Sequence, residues 1–400
     1  SNIDKRLATG YRPEGGEQVV TKGQFNPWSP TGPGQVTTAA DMGRFMIDQL
    51  AEESELGTGI PAELMKQQYT QSEGMPGMGY IYEERPRNGM RVLFKGGDGS
   101  GFHNHMVLLP KAGMGIFFAV NGDGNDEFDS GALAEAVIDE YFPAGEVEKA
   151  TPLKGHGVDG YAGDYQSSRV SHHSILKLRA LTQDRVTVTA NADGTVTTTG
   201  RTLSTHEDAD SQKWIQVKPG LFRESNGPGT IAFDGEGVLT GSRSQNQVYL
   251  EQSWYDSPVL HQYLALAALA VLLLGLVALP TAALFARRRP QSRGPKAARL
   301  LAWLTCLLTL ATTVALISLM SNQDAALEVL AVGSPLLVTV MAAASLVVAA
   351  AAGMCVAAVT AWWRGWWRLS GRVSYSLLSL STVLFATLAI TYNLTGPPFD

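Results

Sequence analysis

The stretch FKGGDGSGFHNHMVLLPKAGMGIFFAVN, residues 94–121, decides the fold of the first part of this chain. Lys95 opens a glycine-rich strand, an apolar run leads to a Pro-Lys-Ala-Gly turn, and a second apolar run ends at Asn121. Glycines beside a strand edge let a ligand's backbone approach closely and leave N–H groups free to donate. The pattern predicts strands over 90–95, 102–110 and 114–121, with the last two joined as a hairpin across residues 111–113.

Two helical patterns flank these strands. TTAADMGRFMIDQLAEE predicts a helix that begins near Thr38, because apolar residues recur at helical spacing from Met42 to Leu50 and Thr37 or Thr38 precedes them as a cap. Residues 129–142 predict a second helix. An antiparallel sheet combined with such helices indicates the α+β class.

The two parts of the chain differ in charge. Residues 1–258 carry 34 acidic and 22 basic side chains, a net charge of −12, whereas residues 259–400 carry three acidic and nine basic ones. An acidic soluble part argues against nucleic acid as a partner. Cys306 and Cys355 both lie in apolar runs, so no disulfide framework is expected. The chain starts with serine, and we expect it to be the C-terminal part of a longer protein.

Four uncharged apolar stretches follow Pro258. Each is long enough to cross a hydrocarbon core of ~30 Å as a helix. They cover about 260–286, 300–320, 329–361 and 373–395. No ionisable Asp, Glu, Lys, Arg or His lies deep within any of them, so we expect anchoring in a lipid bilayer rather than an ion path.

The charges between these stretches predict their orientation. The loops 287–299 and 364–372 carry all nine basic residues of this part, whereas residues 321–328 carry only acidic ones. By the positive-inside rule the two basic loops are cytoplasmic, and residues 1–258 and the C-terminus are extracytoplasmic. Four tryptophans between 362 and 367 flank the second basic loop as an interfacial belt.

Short alternating stretches between turn signals fill residues 149–257 and predict a small all-β meander or barrel. The stretches are ILKLRAL (175–181), DRVTVTANADGTVTTTG (184–200), KWIQVKPGLFRES (213–225), TIAFDGEGVLTG (230–241) and QVYLEQ (247–252). We therefore expect three domains, 1–148, 149–257 and 258–400, the last with four transmembrane helices.

Four segments of the first part follow each other in the chain: LATGYRP at 7–13, PTGPGQVTTAADMGRFM at 30–46, GMGY at 77–80 and Lys95-Gly96-Gly97. They resemble, in turn, the A-x-G-Y, P-x-G-G-L-x-S-T-A-x-D-M-x-R-F, G-x-G-W and K-[TS]-G segments of serine β-lactamases and penicillin-binding proteins. The likeness is to the class-C-like, esterase and D-aminopeptidase-type branch. One departure is that Gly96 stands where the family has a hydroxyl residue. GYAGDYQ at 160–166 resembles the start of the accessory β-domain of membrane-anchored members.

The resemblance implies a bacterial, multi-pass, membrane-anchored serine hydrolase of the cell envelope. It would act through an acyl-serine on peptidoglycan-like peptides, β-lactams or small esters, with no cofactor. Lys95 would bind the substrate carboxylate and bias local pKa values, and the backbone N–H of Gly97 or Asp98 would be an oxyanion donor. Gly96, Gly99 and His103 are the further candidates for substrate binding. The alternative is a non-catalytic, ligand-binding or sensor ectodomain coupled to the membrane.

The family's nucleophile motif S-x-x-K and its base motif Y-x-N are expected before residue 1. No S-x-x-K in the soluble part is suited to be a nucleophile at a helix start. Residues 1–400 would then supply only one wall of the cleft, and we expect them to be inactive alone.

A metal site is not indicated by the remaining polar residues. His103 and His105 project from the same face of a strand, but two histidines without a third ligand are a weak zinc signal. Asp123, Asp126 and Asp129 lack the ligand spacing of a calcium loop.

Overall fold

The computed structural model describes residues 6–21, 35–99, 101–123, 130–145, 149–182, 185–204, 210–286, 292–320 and 334–396. The chain divides into two compact units. The first holds residues 1–168 and 184–251, and the second holds residues 169–183 and 252–400. Residues 30–34 of the second family-like segment and Asp126 and Asp129 lie outside the described residues.

The first unit begins with the predicted α+β arrangement. Its elements are β1 (Gly10–Glu14), β2 (Glu17–Thr21), α1 (Ala39–Leu50), α2 (Ile60–Met65), β3 (Glu83–Glu84), β4 (Leu93–Gly99), β5 (Phe102–Leu109), β6 (Met114–Val120) and α3 (Ser130–Tyr141). Strands β3 to β6 form an antiparallel sheet in sequence order. The predicted cap of α1 is confirmed, because the Thr38 hydroxyl accepts a hydrogen bond from the Asp41 amide at 3.2 Å.

The sheet has two apolar faces, as the period-2 pattern requires. On one face Leu93, Met106 and Leu108 pack with Met46 of α1 and Met65 of α2. On the other face Val92, Val107 and Leu109 pack with Ala134 and Ile138 of α3. The helices therefore lie on opposite sides of β4 and β5 and fix which side chains point to which side.

A two-residue turn sets the start of β4. Asn88 and Gly89 both have positive φ, 52° and 74°. This is the type I′ geometry that an Asn-Gly pair favours between antiparallel strands. Arg87 and Met90 exchange backbone hydrogen bonds across it at 3.1 and 2.9 Å. This turn was not predicted, although Asn-Gly is a strong local signal for it.

Eight further strands close into an antiparallel barrel in which each strand pairs with its neighbour in sequence and the last pairs with the first. They are β7 (Gly163–Ser167), β8 (Arg185–Ala190), β9 (Thr195–Gly200), β10 (Ser211–Lys218), β11 (Leu221–Glu224), β12 (Thr230–Phe233), β13 (Val238–Gly241) and β14 (Val248–Glu251). Eight strands enclose an interior that side chains can fill. Trp214, Phe222 and Leu239 are fully buried there, and the Trp214 indole donates to the Thr198 hydroxyl at 2.8 Å.

One predicted strand of this barrel was wrong. Residues 175–181, ILKLRAL, form a 3₁₀ helix that is capped by the Ser174 hydroxyl. The segment 169–183 between β7 and β8 belongs to the second unit, where Ile175 and Ala180 are buried among long helices. We refer to residues 169–182 as the insert. Its spacing of apolar residues fits both a strand and a short helix, and the packing partners decide between them.

Within its described residues, the second unit contains four helices that are long and apolar enough to cross a membrane. They are α4 (Pro258–Ala286), α5 (Arg293–Met320), α6 (Pro335–Trp363) and α7 (Leu369–Thr391). Leu272, Cys306, Met354 and Leu378, one from each helix, are buried together. The four predicted spans are thus present as helices.

The helix ends differ from the predicted ones by a few residues. Helix α5 begins at Arg293 rather than near 300, so Arg293, Lys296 and Arg299 are helical. Arginine and lysine favour helix and can extend their charged ends to water, which lets a helix continue past its apolar part. The predicted start of the third span, 329–333, lies outside the described residues, as do residues 287–291.

Asn393 joins the insert to the end of α7. Its φ is 53°, and the following residue closes the helix with a Leu394 N–H to Ala389 carbonyl bond at 2.8 Å. Glycine is the usual residue at this left-handed position. Asparagine adds a side-chain amide, which donates to the carbonyls of His172 at 2.9 Å and Ser174 at 3.2 Å.

Asn393→Gly should loosen the insert without breaking the helix end. Glycine keeps the left-handed backbone, but two hydrogen bonds worth about 1 kcal/mol each are lost. We expect faster amide hydrogen exchange over residues 169–182 in the detergent-solubilised chain. His172→Ala, which removes only an exposed side chain, is the control and should leave the exchange unchanged. Equal exchange in Asn393→Gly and the unmodified chain would contradict the role given to Asn393.

Candidate functional site

The register of β4 and β5 sorts the candidate residues onto two faces. Lys95 lies opposite Met106 and Gly97 opposite Asn104, whereas Gly96 lies opposite His105 and Asp98 opposite His103. Lys95 and Gly97 therefore share the face that carries α1 and α2. Asp98, His103 and His105 lie on the α3 face. The Lys95 side chain is exposed to solvent.

Beyond Phe94 one edge of β4 is open. Strand β3 pairs only through Glu83 with Phe94 and Glu84 with Leu93. Among the described residues no strand lies beside 95–99 on that side. An unpaired strand edge offers backbone N–H and C=O groups to another extended chain. The open edge thus begins at Lys95.

The alternation of hydrogen bonds along β4 identifies which backbone amides face this edge. Residues of an antiparallel pair alternate between exchanging hydrogen bonds and pointing away from each other. Arg87 and Met90 exchange both backbone hydrogen bonds, and the Arg85 amide donates to the Val92 carbonyl at 2.9 Å. The backbone N–H and C=O groups of the even-numbered residues of β4 therefore point toward the β3 side. The Asp98 amide consequently points to the open edge. The Gly97 amide points to β5, so of the two oxyanion-donor candidates the register favours Asp98.

Phe94 accounts for the glycine at position 96. A Cβ on Gly96 would lie 2.8 Å from the Phe94 ring. The ring is held in place by the Arg85 guanidinium, 3.6 Å from its centroid, and by His105, whose ring centroid is 5.2 Å away. Because the aromatic ring lies across this position, a threonine or serine cannot be accommodated without moving it.

Arg85 links this aromatic ring to the barrel. Its guanidinium pairs with Glu83 at 2.9 Å, and the other oxygen of Glu83 accepts from the Asn246 side-chain amide. Asn246 lies in the loop between β13 and β14. The barrel thus contributes a side chain to the polar chain that holds Phe94 over Gly96.

The tip of the β4–β5 hairpin is closed by a histidine between two carboxylates. His103 Nδ1 lies 2.8 Å from Asp98 Oδ1, and Nε2 lies 2.9 Å from Asp123 Oδ1. Partial burial lowers the pKa of His103, but the hydrogen bonds and negative charges of Asp98 and Asp123 outweigh this, so the pKa is raised above 6.5. The two carboxylates sit on opposite sides of the ring. This arrangement favours the protonated form of the imidazole.

Strand β1 brings the first family-like segment to this hairpin. The Tyr11 amide donates to the Asn121 carbonyl at 3.0 Å, and the Asp123 amide donates to the Tyr11 carbonyl at 2.9 Å. The backbones approach closely at Gly101, where a Cβ would lie 2.2 Å from Thr21 Cγ2 and 3.0 Å from Tyr11 N. Residues 7–13 and the glycine-rich strand are therefore neighbours.

The GMGY segment packs at the base of the sheet. A Cβ at Gly77 would lie 2.1 Å from the Tyr69 carbonyl oxygen, and one at Gly79 would lie 2.5 Å from that of Leu64. The Gly77 amide donates to the buried Glu84 carboxylate, which also pairs with Arg91 at 2.6 Å. These glycines serve close backbone packing.

The structure brings together all the predicted site residues but divides their roles. Lys95, Gly96, Gly97, Asp98 and Gly99 are contiguous on β4. His103 contacts Asp98, yet it lies on the sheet face opposite Lys95, so its position supports hairpin closure more directly than contact with a ligand beside Lys95. Phe94 and Arg85 carry no motif of their own and were given no role from the sequence, and Asp123 was considered only as a calcium ligand.

Two other groupings need comment. The chain has one S-x-x-K spacing, Ser174 to Lys177, but it lies in the insert, and the Ser174 hydroxyl caps the 3₁₀ helix there. Within the part of the chain that the structure describes, no group of three or more His, Cys, Asp and Glu side chains is arranged to hold a metal ion.

Comparison with known proteins gives one family. The Beta-lactamase family model matches residues 1–140. The structure of SurE is 13% identical, with a TM-score of 0.35, and the match covers 61% of this chain and 55% of that chain. The octameric penicillin-binding protein homologue from Pyrococcus abyssi is 12% identical, with a TM-score of 0.29, and the match covers 62% of this chain and 55% of that chain. The chain thus covers just over half of each structure. No curated protein matches the chain.

Gly101→Ala should destabilise the first unit. Gly101 has a φ of 74°, and an added Cβ meets the Thr21 side chain and the Tyr11 backbone. Alanine is strained in this left-handed backbone conformation, and its Cβ would overlap with Thr21 and Tyr11. Both effects together should lower the free energy of unfolding by about 2 kcal/mol or more. Gly99→Ala is the matched control, since its Cβ meets nothing closer than 4.0 Å, and it should change stability by no more than about 0.5 kcal/mol. Urea unfolding in detergent measures both, and equal losses would contradict the close approach of β1.

His103 should make stability depend on pH. Its folded-state pKa is raised, so the stabilisation by the charged imidazole is complete below the unfolded pKa of about 6.5 and is lost as pH rises through the folded pKa. We expect the thermal stability advantage of the unmodified chain over His103→Gln to be larger at about pH 6 than at about pH 9, because the imidazole loses its charge as pH rises. The exposed His156→Gln serves as control. An advantage that does not change with pH would exclude the charged bridge.

Proposed function

Since residues 1–140 form a β-lactamase-related domain, we propose that the protein is a membrane-anchored serine hydrolase that cleaves an amide or ester through an acyl-serine. The observation that carries the proposal is the open edge of β4, where Lys95 lies at the start of a row of backbone groups that no strand of the described residues pairs. This arrangement fits a substrate with an extended backbone and a carboxylate.

Each group has a definite task in this reaction. The extended substrate pairs with the open edge, and Lys95 neutralises its carboxylate. A serine oxygen adds to the scissile carbonyl, and the Asp98 amide donates to the oxygen that becomes negative. The C–N or C–O bond then breaks, the leaving group takes the serine proton through a base, and water later hydrolyses the acyl-serine. We propose that the serine and its base come from a segment outside residues 1–400.

Substrates with a free carboxylate are favoured by this geometry. Peptidoglycan-like peptides and β-lactams carry one, whereas small esters need not. The four apolar helices support anchoring in a bilayer. With the basic residues of 287–299 and 364–372 in the cytoplasm, residues 1–258 act on the extracytoplasmic side of a bacterial cell membrane.

A second function is favoured by a specific observation. Phe94 occupies the space beside Gly96 that a hydroxyl side chain would need. An edge without that hydroxyl can still bind a peptide and its carboxylate through Lys95. A ligand-binding sensor domain without catalysis is therefore the alternative.

The role of Lys95 can be tested by comparing two substrates. In the longer gene product, Lys95→Ala should lower kcat/KM for nitrocefin, which carries a carboxylate, about 10- to 100-fold, the range expected for one charge-assisted hydrogen bond. Turnover of p-nitrophenyl acetate, which has no carboxylate, should change little. Lys111→Ala, in the exposed turn between β5 and β6, is the matched control.

The outcomes separate the two functions. Labelling of the longer gene product by a fluorescent penicillin or fluorophosphonate supports catalysis, and its absence from folded protein supports the sensor. Residues 1–400 alone should show no turnover above their Lys95→Ala variant. Equal effects of Lys95→Ala and Lys111→Ala on nitrocefin would overturn the proposed role of Lys95.

A further inference from the structure

The insert leaves the barrel between two strands that are already neighbours. Strands β7 and β8 pair directly, from Gly163 with Val188 to Gln166 with Arg185. A short turn suffices to join such strands. Here the chain instead passes through residues 168–184, and residues 169–183 belong to the unit of the four long helices. The insert therefore packs in the second unit and is not needed to join the two barrel strands.

Apolar and polar contacts hold the insert at one end of the helices. Ile175 and Ala180 are buried with Leu337 and Met341, near the start of α6, and with Phe385 and Tyr392, near the end of α7. The Gln262 side-chain amide, near the start of α4, donates to the Leu181 carbonyl at 2.6 Å. The Asn393 amide holds the carbonyls of His172 and Ser174.

This end of the helices has the composition of a membrane interface. Trp254 is 79% exposed and Tyr263 is 69% exposed, and both lie beside the start of α4. Tryptophan and tyrosine are enriched at the level of the lipid headgroups. Since α4 begins here and α7 ends here, the insert lies at the headgroup boundary of any bilayer that the four helices cross.

The insert is also basic. Residues 169–182 contain Arg169, Lys177 and Arg179 and no acidic residue, within a soluble part whose net charge is −12. Arg179 is exposed and Lys177 is half-buried. Neither makes an ion pair within the described ranges. A basic segment held beside the ends of membrane-type helices places its cations at the level of the phosphate groups of a bilayer, where anionic lipids attract them.

We propose that the insert is a lipid-binding segment in which Lys177 and Arg179 bind the phosphate groups of anionic phospholipids at the bilayer surface. The apolar residues of the insert fix its depth, and the two cations select the headgroup. Each basic side chain near an anionic surface strengthens attachment about fivefold. Together, Lys177 and Arg179 should make attachment to anionic lipid about 25-fold stronger than attachment to neutral lipid.

Hydrogen exchange of the complete chain in lipid nanodiscs tests this proposal, because it reports on the insert separately from the basic loops at the other end of the helices. We expect exchange over residues 169–182 to be slower in discs that contain phosphatidylglycerol than in discs of phosphatidylcholine alone. The difference should disappear in Lys177→Gln/Arg179→Gln. It should persist in Lys154→Gln/Lys218→Gln, which removes two cations from the other unit.

Three results would overturn the proposal. The first is equal exchange of the insert in the two kinds of disc, and the second is a lipid response of Lys177→Gln/Arg179→Gln equal to that of the unmodified chain. The third is full protection by soluble glycerol phosphate in a neutral detergent, which would assign the cations to a free phosphate ester. Unchanged exchange in the barrel strands of Lys177→Gln/Arg179→Gln shows that this variant is folded.

Discussion

The unpaired edge of β4 is the constraint on which the site depends. Buried backbone N–H and C=O groups are nearly always hydrogen-bonded, and an exposed strand edge invites another chain. Strand β3 ends after it has paired with Leu93 and Phe94, so the edge opens at Lys95. The alternation of the antiparallel pair then directs the Asp98 amide outward. Because β3 is short, part of the β4 edge has no partner strand among the described residues, and Lys95 stands where that part begins.

The aromatic ring of Phe94 explains the departure from the family's third motif. The ring lies where a side chain at position 96 would extend, and Arg85 holds it by a cation–π contact. Arg85 is itself oriented by Glu83, which Asn246 of the barrel also contacts. Direct contacts thus connect Gly96, the ring of Phe94 and the barrel loop that contains Asn246. The barrel contacts the sheet through this polar chain, while its own interior is filled by side chains such as Trp214.

The barrel also shows how one chain segment can serve two environments. Its strands follow each other in sequence around the barrel, but between β7 and β8 the chain passes into the second unit. The apolar residues of the insert are buried by membrane-type helices instead of by the barrel. Asn393, whose backbone is left-handed at the end of α7, donates its side-chain amide to the insert and holds it there.

Much of this architecture was determined by the sequence. Long apolar runs without charges favour membrane-type helices, and alternating stretches between turns favour a small β-domain, so four helices and a meander or barrel were predictable. Four ordered motifs indicated the β-lactamase relationship, and Lys95 was located by its motif. Local patterns of this kind depend on residues that are near each other in sequence.

Tertiary structure alone decided the rest. Whether ILKLRAL becomes a strand or a 3₁₀ helix depends on what buries its apolar side, and those partners, Leu269 of α4 and the buried residues from Leu337 to Leu394, are remote in the chain. The placement of His103 on the face opposite Lys95 depends on strand register, and a shift of one residue would reverse it. The meeting of Phe94 with Gly96 and of His103 with Asp123 follows from close packing in three dimensions, which no local pattern of residues encodes.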